Sequence, residues 1–305
     1  MSHKFIDELS GNKSIVTVDF YDLSNKLDSL SDLQKVESVK SELKLVETYR
    51  FLYKVGKLKV VGYIAIPANQ NEKLPCIIHL RGGSRDFAAL TPRAVYGQLV
   101  KYALEGFVVI STQYPGVEGG DGQDTFGGTD DIASIVKLRD ILKGISIADT
   151  NKIGVKGHSR GGLMAYMLLR EVKWIKTAVI ASAPADQVRQ GKERPKWREH
   201  QISLWGKSRE GLLRRSPLRW VTDLPKKVPV LLMHGSADWR VTPLDTIEMS
   251  QAMFKHMIPH RFILFEGADH GITEYKAEYF RQSLDWFNRF LKNDEPIPNL
   301  KPHGD

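Results

Sequence analysis

Short apolar runs alternate with amphipathic stretches over most of the chain, and this alternation predicts the fold class. Eight runs have the length and composition of β-strands: residues 48–53, 58–66, 75–80, 107–111, 153–155, 177–182, 228–233 and 262–265. Several are followed by apolar positions at helical spacing, as in residues 95–103 and 130–142. Continuous apolar strands separated by amphipathic helices are typical of a mostly parallel sheet that helices cover on both faces. We therefore predict an α/β fold.

Three parts of the chain depart from this alternation. The first two runs flank a turn at Gly56, as in an antiparallel pair. Before them, Ser31-Asp32-Leu33-Gln34 has the form of a capping box, which predicts a helix in the amino-terminal segment. A later segment rich in Trp and Arg interrupts the rhythm and predicts a lid or cap insertion. The predicted divisions are an amino-terminal segment 1–46, one domain 47–292 with the insertion 183–224, and a tail 293–305.

Composition narrows the class of protein. The 305 residues are 42% hydrophobic and 26% charged, which is ordinary for a globular domain with a sizeable core. The amino terminus has no apolar core of a signal peptide, and no later stretch has a membrane-spanning length. Cys76 is the single cysteine, so no intrachain disulfide forms. These features predict a cytoplasmic protein without a membrane partner.

The formal net charge of +8 is concentrated in one segment. Between Gln187 and Val221, three acidic residues (Glu193, Glu199, Glu210) stand against ten basic ones: Arg189, Lys192, Arg194, Lys196, Arg198, Lys207, Arg209, Arg214, Arg215 and Arg219. No zinc-ligand spacing or nucleic-acid-binding motif surrounds them, so we expect no nucleic-acid partner. Two interpretations stay open: solvated surface, or an anion-attracting rim of a binding site.

A serine stands where one predicted strand turns into a helix. The stretch KIGVKGHSRGG places glycines two positions before and two after Ser159. Glycines there remove the Cβ atoms that clash in a sharp strand-to-helix turn, and the serine hydroxyl is held out at the end of the sheet. The pattern predicts a nucleophile elbow.

Two further residues complete a set that could perform nucleophilic catalysis. Ser159, Asp238 and His270 each follow a predicted strand, and ligands of open parallel sheets bind beyond the carboxyl ends of the strands. The order Ser, Asp, His along the chain is that of an α/β-hydrolase triad. A serine hydroxyl needs an imidazole to accept its proton, and the imidazole needs a carboxylate to fix its tautomer. We therefore predict these three as the catalytic residues.

Each member of the triad has an alternative explanation. Glycine and serine are common in loops, Asp238 could simply cap a following helix, and His270 alone could be a loop histidine. Asp269 is a rival for the acid, although its position beside His270 points it elsewhere in most backbone geometries. The rivals for the base are the nearby histidines His158 and His234, and we interpret both as supporting the site.

The tetrahedral intermediate of such a reaction needs an oxyanion hole, usually formed by two backbone N–H groups. Arg160 follows the nucleophile at a helix start and supplies one. The second is predicted in the loop HLRGGSR that follows the strand 75–80, at Gly82 or Gly83, where glycine lets the backbone approach the substrate oxygen. A plain tight turn is the alternative for these glycines.

These motifs together resemble those of a known family. GHSRGG around Ser159, HGSADWRV around Asp238 and DHG around His270 are similar to the three signatures of the prolyl-oligopeptidase-like serine hydrolases, a branch of the α/β-hydrolases. The phrase RRSPLRWVTDLPKKVPVLLMHG resembles that family's approach to the acid. The resemblance covers roughly Leu58 to Leu291. It implies the α/β-hydrolase fold with a lid insertion.

Two departures from the family pattern bear on the substrate. Peptidases of this family commonly carry an amino-terminal β-propeller, whereas fewer than sixty residues precede the hydrolase pattern here, so we expect none. The predicted oxyanion loop reads Arg81-Gly82-Gly83-Ser84, where the family often has His or Tyr before the glycine and Pro after it. Both departures weaken peptide as the substrate and leave the serine-hydrolase chemistry unchanged.

The predicted function is a serine hydrolase that cleaves an ester or a small-peptide amide through an acyl-enzyme, without a metal or organic cofactor. A carboxylesterase of the acetyl-ester or lactone-cleaving kind uses the same residues and is the first alternative. The alternative from another class is a catalytically silent hydrolase fold that serves as a binding module. Dehalogenase or epoxide-hydrolase chemistry would need Asp at position 159, and dienelactone-type chemistry usually needs Cys there. Because this residue is Ser, both are disfavoured. The oligomeric state stays open.

Arg81 and Tyr114 are the predicted substrate-binding residues. Arg81 directly precedes the oxyanion glycines, where its guanidinium could pair with a substrate carboxylate. Together with the basic insertion, this predicts a preference for substrates with an anionic group near the scissile bond. In the alternative interpretation a structural carboxylate such as Asp86, Asp121 or Asp124 holds Arg81, and the insertion is solvated surface.

Overall fold

The computed structural model describes residues 3–27 and 33–303, which belong to two compact units. The first unit comprises Met1–Asp124 and Gly128–Ile153, and the second comprises Thr125–Gly127 and Gly154–Asp305. Ser31 and Asp32, the predicted capping residues, lie outside the described residues.

Within the described residues, nine strands form the sheet, in the order β1-β2-β3-β5-β4-β6-β7-β8-β9. β4–β5, β7–β8 and β8–β9 are parallel pairs, whereas β1, β2, β3 and β5 pair antiparallel in that sequence. The predicted mostly parallel α/β architecture is confirmed. The strands are β1 Ile15–Phe20, β2 Val46–Val55, β3 Leu58–Pro67, β4 Leu74–Leu80, β5 Val108–Thr112, β6 Ala148–His158, β7 Ile175–Ala181, β8 Val230–Gly235 and β9 His260–Phe265.

Twelve α-helices accompany the strands among the described residues. A short π-helix, Tyr96–Val100, joins α4 to α5 where one helix was predicted, and a second π-helix, Asn288–Lys292, extends the last helix. The helices are α1 Ile6–Ser10, α2 Leu23–Lys26, α3 Leu33–Leu43, α4 Pro92–Val95, α5 Lys101–Leu104, α6 Thr129–Leu142, α7 Arg160–Glu171, α8 Gln187–Glu193, α9 Pro195–Trp205, α10 Arg209–Arg214, α11 Leu244–Lys255 and α12 Lys276–Phe287.

In the first unit, β2 and β3 form the predicted hairpin. Val55 pairs with Leu58 across the turn at Gly56, where φ is +59° and a side chain would be strained. From Val60 onward β3 is buried throughout, because strands on both sides and packing on both faces exclude water. The buried Tyr53 hydroxyl donates to Thr112 Oγ1 at 2.8 Å and thereby links β2 to β5.

In the second unit, three parallel strands bring their carboxyl ends to one edge. Gly235 pairs with Phe265, so β8 and β9 end together, and β7 ends at Ala181, which pairs with Met233 two residues earlier. All six residues of β8 are buried. The loops that follow these strands therefore begin side by side.

The predicted insertion, residues 183–224, consists of α8, α9, α10 and two 3₁₀ turns, Pro217–Arg219 and Val221–Asp223. Local sequence signals start each of its helices. The Asp186 carboxylate accepts from the N–H groups of Val188 and Arg189 and caps α8. Pro195 opens α9, and the Ser208 hydroxyl caps α10.

The strand β1 is absent from the sequence prediction. Four of its six residues are exposed, because β1 lies at the edge of the sheet and pairs only with β2. An exposed edge strand lacks the continuous apolar run by which the buried strands were recognised.

Candidate active site

The turn after β6 holds Ser159 in a strained conformation. Its φ is 57° and its ψ is −126°, values that a non-glycine residue rarely adopts. A Cβ on Gly157 would lie 2.1 Å from the carbonyl oxygen of Gly161, so only glycine permits α7 to begin this close to β6. The Ser159 N–H donates to the Ala181 carbonyl at 2.8 Å, which holds the elbow at the end of β7.

Ser159, His270 and Asp238 form one hydrogen-bonded relay within the second unit. His270 Nε2 lies 2.9 Å from Ser159 Oγ, and His270 Nδ1 lies 2.7 Å from Asp238 Oδ2. Because the carboxylate accepts only, Nδ1 carries the proton and Nε2 is left to accept from the serine hydroxyl. The three residues that the sequence singled out are therefore brought together with the geometry of a general-base relay.

The surroundings of Asp238 keep it ionised. Burial by itself would raise the pKa of this carboxyl, but hydrogen bonds from His234 and His270 outweigh it and hold the pKa well below its ordinary value. The second oxygen, Oδ1, accepts from the N–H groups of Arg240 and Val241 at 2.8 and 3.0 Å. A carboxylate so completely hydrogen-bonded can stabilise an imidazolium without taking its proton.

Two family models match this chain. The model of the prolyl oligopeptidase family, peptidase family S9, matches residues 98–294, which are more than half of the chain and contain Ser159, Asp238 and His270. The chain belongs to the prolyl oligopeptidase family. A second model, that of acetyl xylan esterase, matches residues 18–134. The family resemblance and the serine-hydrolase class predicted from the sequence are confirmed.

Three proteins similar to this prolyl oligopeptidase family member share 18% to 27% sequence identity with it. The uncharacterized peptidase YtmA of Bacillus subtilis is 27% identical over 200 residues, 65% of this chain and 76% of that protein. The acylamino-acid-releasing enzyme of Rattus norvegicus is 23% identical over 250 residues, 74% of this chain and 33% of that protein. A Pyrococcus horikoshii acylaminoacyl peptidase superposes with a TM-score of 0.73 at 18% identity, over 89% of this chain and 46% of that chain. The chain spans less than half the length of the last two, and at this identity the structural match shows the α/β-hydrolase fold alone.

Two of the rival residues have other partners in the structure. The Asp269 carboxylate accepts from the N–H groups of Gly271 and Thr273 at 2.8 and 3.0 Å, so it stabilises its own loop. His234 is buried and lies 3.0 Å from Asp238 Oδ2 through Nε2, while its Nδ1 meets Thr246 Oγ1 at 2.6 Å. His234 thus supports the acid from the side opposite His270.

His158, the third rival, contacts the base through its backbone. Its Nε2 lies 2.7 Å from the carbonyl oxygen of His270, so Nε2–H is the donor. Burial, followed by the charge of His270, lowers the pKa of His158 to about 3. The ring therefore stays neutral near pH 7 and ties the loop of His270 to the elbow.

The predicted oxyanion residues belong to different units. Arg160 is the first residue of α7 in the second unit, at a helix start where backbone N–H groups lack intrahelical acceptors. Gly82 and Gly83 follow β4 in the first unit. Gly83 has a φ of +65°, and a Cβ there would lie 2.1 Å from the Phe87 carbonyl oxygen, so the loop is closed tightly on itself. Their joint role stays a prediction.

Arg81 is buried and turned into the loop that it begins. With 2% of its surface exposed, its guanidinium donates to the carbonyl oxygens of Gly82, Arg85, Phe87 and Gln113, at 2.7 to 3.3 Å. The Asp124 carboxylate lies 4.0 Å away. These contacts favour the alternative in which a structural carboxylate holds Arg81.

Tyr114, the other predicted substrate-binding residue, is fully buried in the first unit. Its hydroxyl donates to the Arg81 carbonyl at 3.2 Å, and the Arg81 guanidinium lies 5.1 Å from the centre of its ring. These contacts favour a role for Arg81 and Tyr114 in positioning the loop that carries Gly82 and Gly83, and their role in binding the substrate stays a prediction.

The sequence did not predict an aromatic cluster next to Arg160, the residue that follows Ser159. The Arg160 guanidinium lies 4.7 Å from the ring centre of Phe126, which in turn packs against Trp197 and Trp205 of the insertion at 5.3 and 5.9 Å. Arg215 donates to the Phe126 carbonyl at 2.6 Å. The only signal in the sequence is an aromatic residue before the glycines of TFGG.

Residues 3–27 and 33–303 contain no group of three His, Cys, Asp or Glu side chains placed to hold a metal ion. Within the same residues, no helix has the length and apolar character needed to cross a bilayer.

Proposed function

We propose that Ser159, His270 and Asp238 are the catalytic residues of a hydrolase that cleaves an ester or a small-peptide amide. The single observation that carries the proposal is the relay from Ser159 Oγ to His270 to Asp238, at 2.9 and 2.7 Å, on a strained elbow. The fully hydrogen-bonded carboxylate supports the role of Asp238 as the group that orients the base.

The proposed reaction follows from the roles of these atoms. His270 Nε2 removes the hydroxyl proton as Ser159 Oγ attacks the substrate carbonyl, and Asp238 stabilises the imidazolium. The backbone N–H of Arg160 helps to hold the oxyanion, and the second N–H, at Gly82 or Gly83, stays a prediction from the sequence. The imidazolium then protonates the leaving group. In the second half of the reaction, His270 removes a proton from water as the water attacks the acyl-enzyme, and the imidazolium returns that proton to Ser159 Oγ as the acid product leaves.

A carboxylesterase is the second candidate within the same chemistry. The match of residues 18–134 to the acetyl xylan esterase model favours it, since that range includes the predicted oxyanion loop. A catalytically silent binding module is disfavoured, because drift in such a module would be expected to disturb the relay. Short-chain p-nitrophenyl esters tested beside aminoacyl and prolyl amides would rank the candidates by kcat/KM.

Covalent labelling tests the proposed nucleophile directly. A fluorophosphonate probe should label the wild-type chain, and Ser159→Ala should abolish labelling while circular dichroism stays unchanged. The loss of kcat should be about 10⁶-fold by the precedent of another serine hydrolase. Labelling that persists in the variant would overturn the assignment of Ser159.

We also propose that the protein works on small molecules in the cytosol, with no nucleic-acid or membrane partner. The single cysteine supports this location: Cys76 is buried, and burial raises the pKa of its thiol, so it is a packing residue. Fractionation of cells that express the tagged chain would test the location.

A further inference from the structure

The insertion contains a cavity of about 410 Å³ whose lining is positively charged. This volume is within the range of small-molecule sites. Four of the seven lining residues are cations, and none is acidic. The lining residues are Val188, Gly191, Lys192, Arg198, Lys207, Arg209 and Leu212.

Eight of the ten basic residues of the insertion fall into two groups with different surroundings. Arg189 pairs with Asp245 and Glu248, and Arg219 pairs with Asp186. Arg194 and Arg215 donate to backbone carbonyl oxygens, those of Arg240 and Phe126. These four arginines bind parts of the fold to one another.

The cations that line the cavity do not connect parts of the fold in this way. Lys192, Lys207 and Arg209 make no side-chain hydrogen bond or ion pair with any residue in the described ranges 3–27 and 33–303. Among the residues that the structure describes, Arg198 reaches only Gln201 Oε1, at 3.5 Å. Like charges around one cavity repel one another, and an anion inside it removes that repulsion.

We propose that this cavity binds a small, multivalent oxyanion such as a phosphorylated or polycarboxylate compound. Arg198 and Arg209 offer planar forks that match carboxylate and phosphate oxygens, and the two lysines add compact charges. Val188 and Leu212 add an apolar wall for the carbon portion of such a ligand. The sequence predicted an anion preference from Arg81 together with the basic insertion, whereas this proposal rests on the insertion alone.

Inorganic pyrophosphate, titrated into the full chain by calorimetry, tests the proposal. Wild type should bind it saturably at one site, and acetate should not bind at the same concentrations. Lys207→Glu with Arg209→Glu should weaken the binding by at least about tenfold, because two charge-assisted contacts become repulsive. A carboxylate is favourable at the start of α10, so this variant should fold.

A matched control separates the cavity from the overall charge. Lys226→Glu with Lys227→Glu changes the net charge equally, at exposed lysines outside the cavity lining. It should leave the affinity within about twofold of wild type, since these lysines do not line the cavity and salt screens exposed charges. Absence of saturable binding by wild type, or equal weakening in both variants, would overturn the proposal.

The readout is independent of the proposed catalysis, because it measures binding and not hydrolysis. Circular dichroism of both charge variants serves as the folding control. Lys207→Gln with Arg209→Gln gives a milder second variant, which should weaken pyrophosphate binding less than the glutamates do. Unchanged binding in this variant and in the glutamate variant would also refute the site.

Discussion

Arg81 and the cavity cations of the insertion use positive charge in opposite ways. Arg81 is almost wholly buried, and its donors reach four carbonyl oxygens and a nearby carboxylate. Lys207 and Arg209 are exposed, and neither has a partner among the described residues. A cation that is buried and saturated stabilises the loop around it, whereas one left open retains its donors for a ligand.

The two aspartates near the proposed base also differ in burial and in their hydrogen-bond partners. Asp238 is buried and receives hydrogen bonds from two imidazoles and two backbone N–H groups, whereas Asp269 stabilises an exposed turn. Asp238→Asn should lower kcat by about 10⁴-fold, because the imidazole loses its orienting carboxylate. Asp269→Asn, measured on the same ester, should have a far smaller effect. The reverse ranking would exchange the roles of the two residues.

Arg81→Met should chiefly destabilise the protein. Removing a buried cation from the Asp124 carboxylate and the loop carbonyls should lower the free energy of unfolding by about 3–5 kcal/mol. Urea denaturation would measure this change. Arg81→Lys retains the charge without the fork and should be intermediate.

Matched acidic and neutral esters would sharpen this interpretation of Arg81. Its loss should reduce kcat/KM equally for both esters, because the loop that carries Gly82 and Gly83 is misplaced for every substrate. A selective loss for the acidic ester would instead return Arg81 to substrate recognition.

His158 should have a moderate effect that is specific to the base. His158→Phe removes the donor to the His270 carbonyl and should lower kcat by roughly three- to tenfold with little change in KM. His158→Asn can still donate and should recover part of the loss. Equal losses in both variants would point to packing alone.

The acid stability of the protein should also depend on His158. The pKa of His158 is about 3 in the folded chain, against an ordinary value of 6.5, so between these values the unfolded chain binds more protons. Stability is therefore lost as the pH falls from about 6.5 to about 3. In His158→Phe the melting temperature should fall less over this window, and an unchanged slope would show that other groups determine it.

The cavity cations should contribute least to stability. Lys207→Gln with Arg209→Gln should change the free energy of unfolding by less than about 0.5 kcal/mol, as is usual for surface positions without partners. A larger loss in urea denaturation would mean that these side chains stabilise the fold, and the contrast with Arg81 would fail.

Features that depend on neighbouring residues in the chain could be predicted from the sequence. The buried strands were recognisable because burial on both faces requires a continuous apolar run, and the elbow because its sterics involve only residues 157–162. The edge strand β1 escaped prediction, since its half-exposed pattern resembles that of a loop. Phe126 escaped because its contacts with Arg160 and Trp197 join distant parts of the chain.

The sequence by itself therefore determined the α/β class, the order of Ser159, Asp238 and His270, and the concentration of charge in the insertion. Only the tertiary structure decided which charged side chains have hydrogen-bond or ion-pair partners. In the sequence, Arg81 precedes a glycine and Lys207 precedes a serine, and both have long, flexible side chains. Nothing in these local patterns indicates which of the two cations has partners. The partners of Arg81 include Gln113 and Asp124, whereas Lys207 has none among the described residues. Such partners are brought near by folding, and no local pattern encodes them.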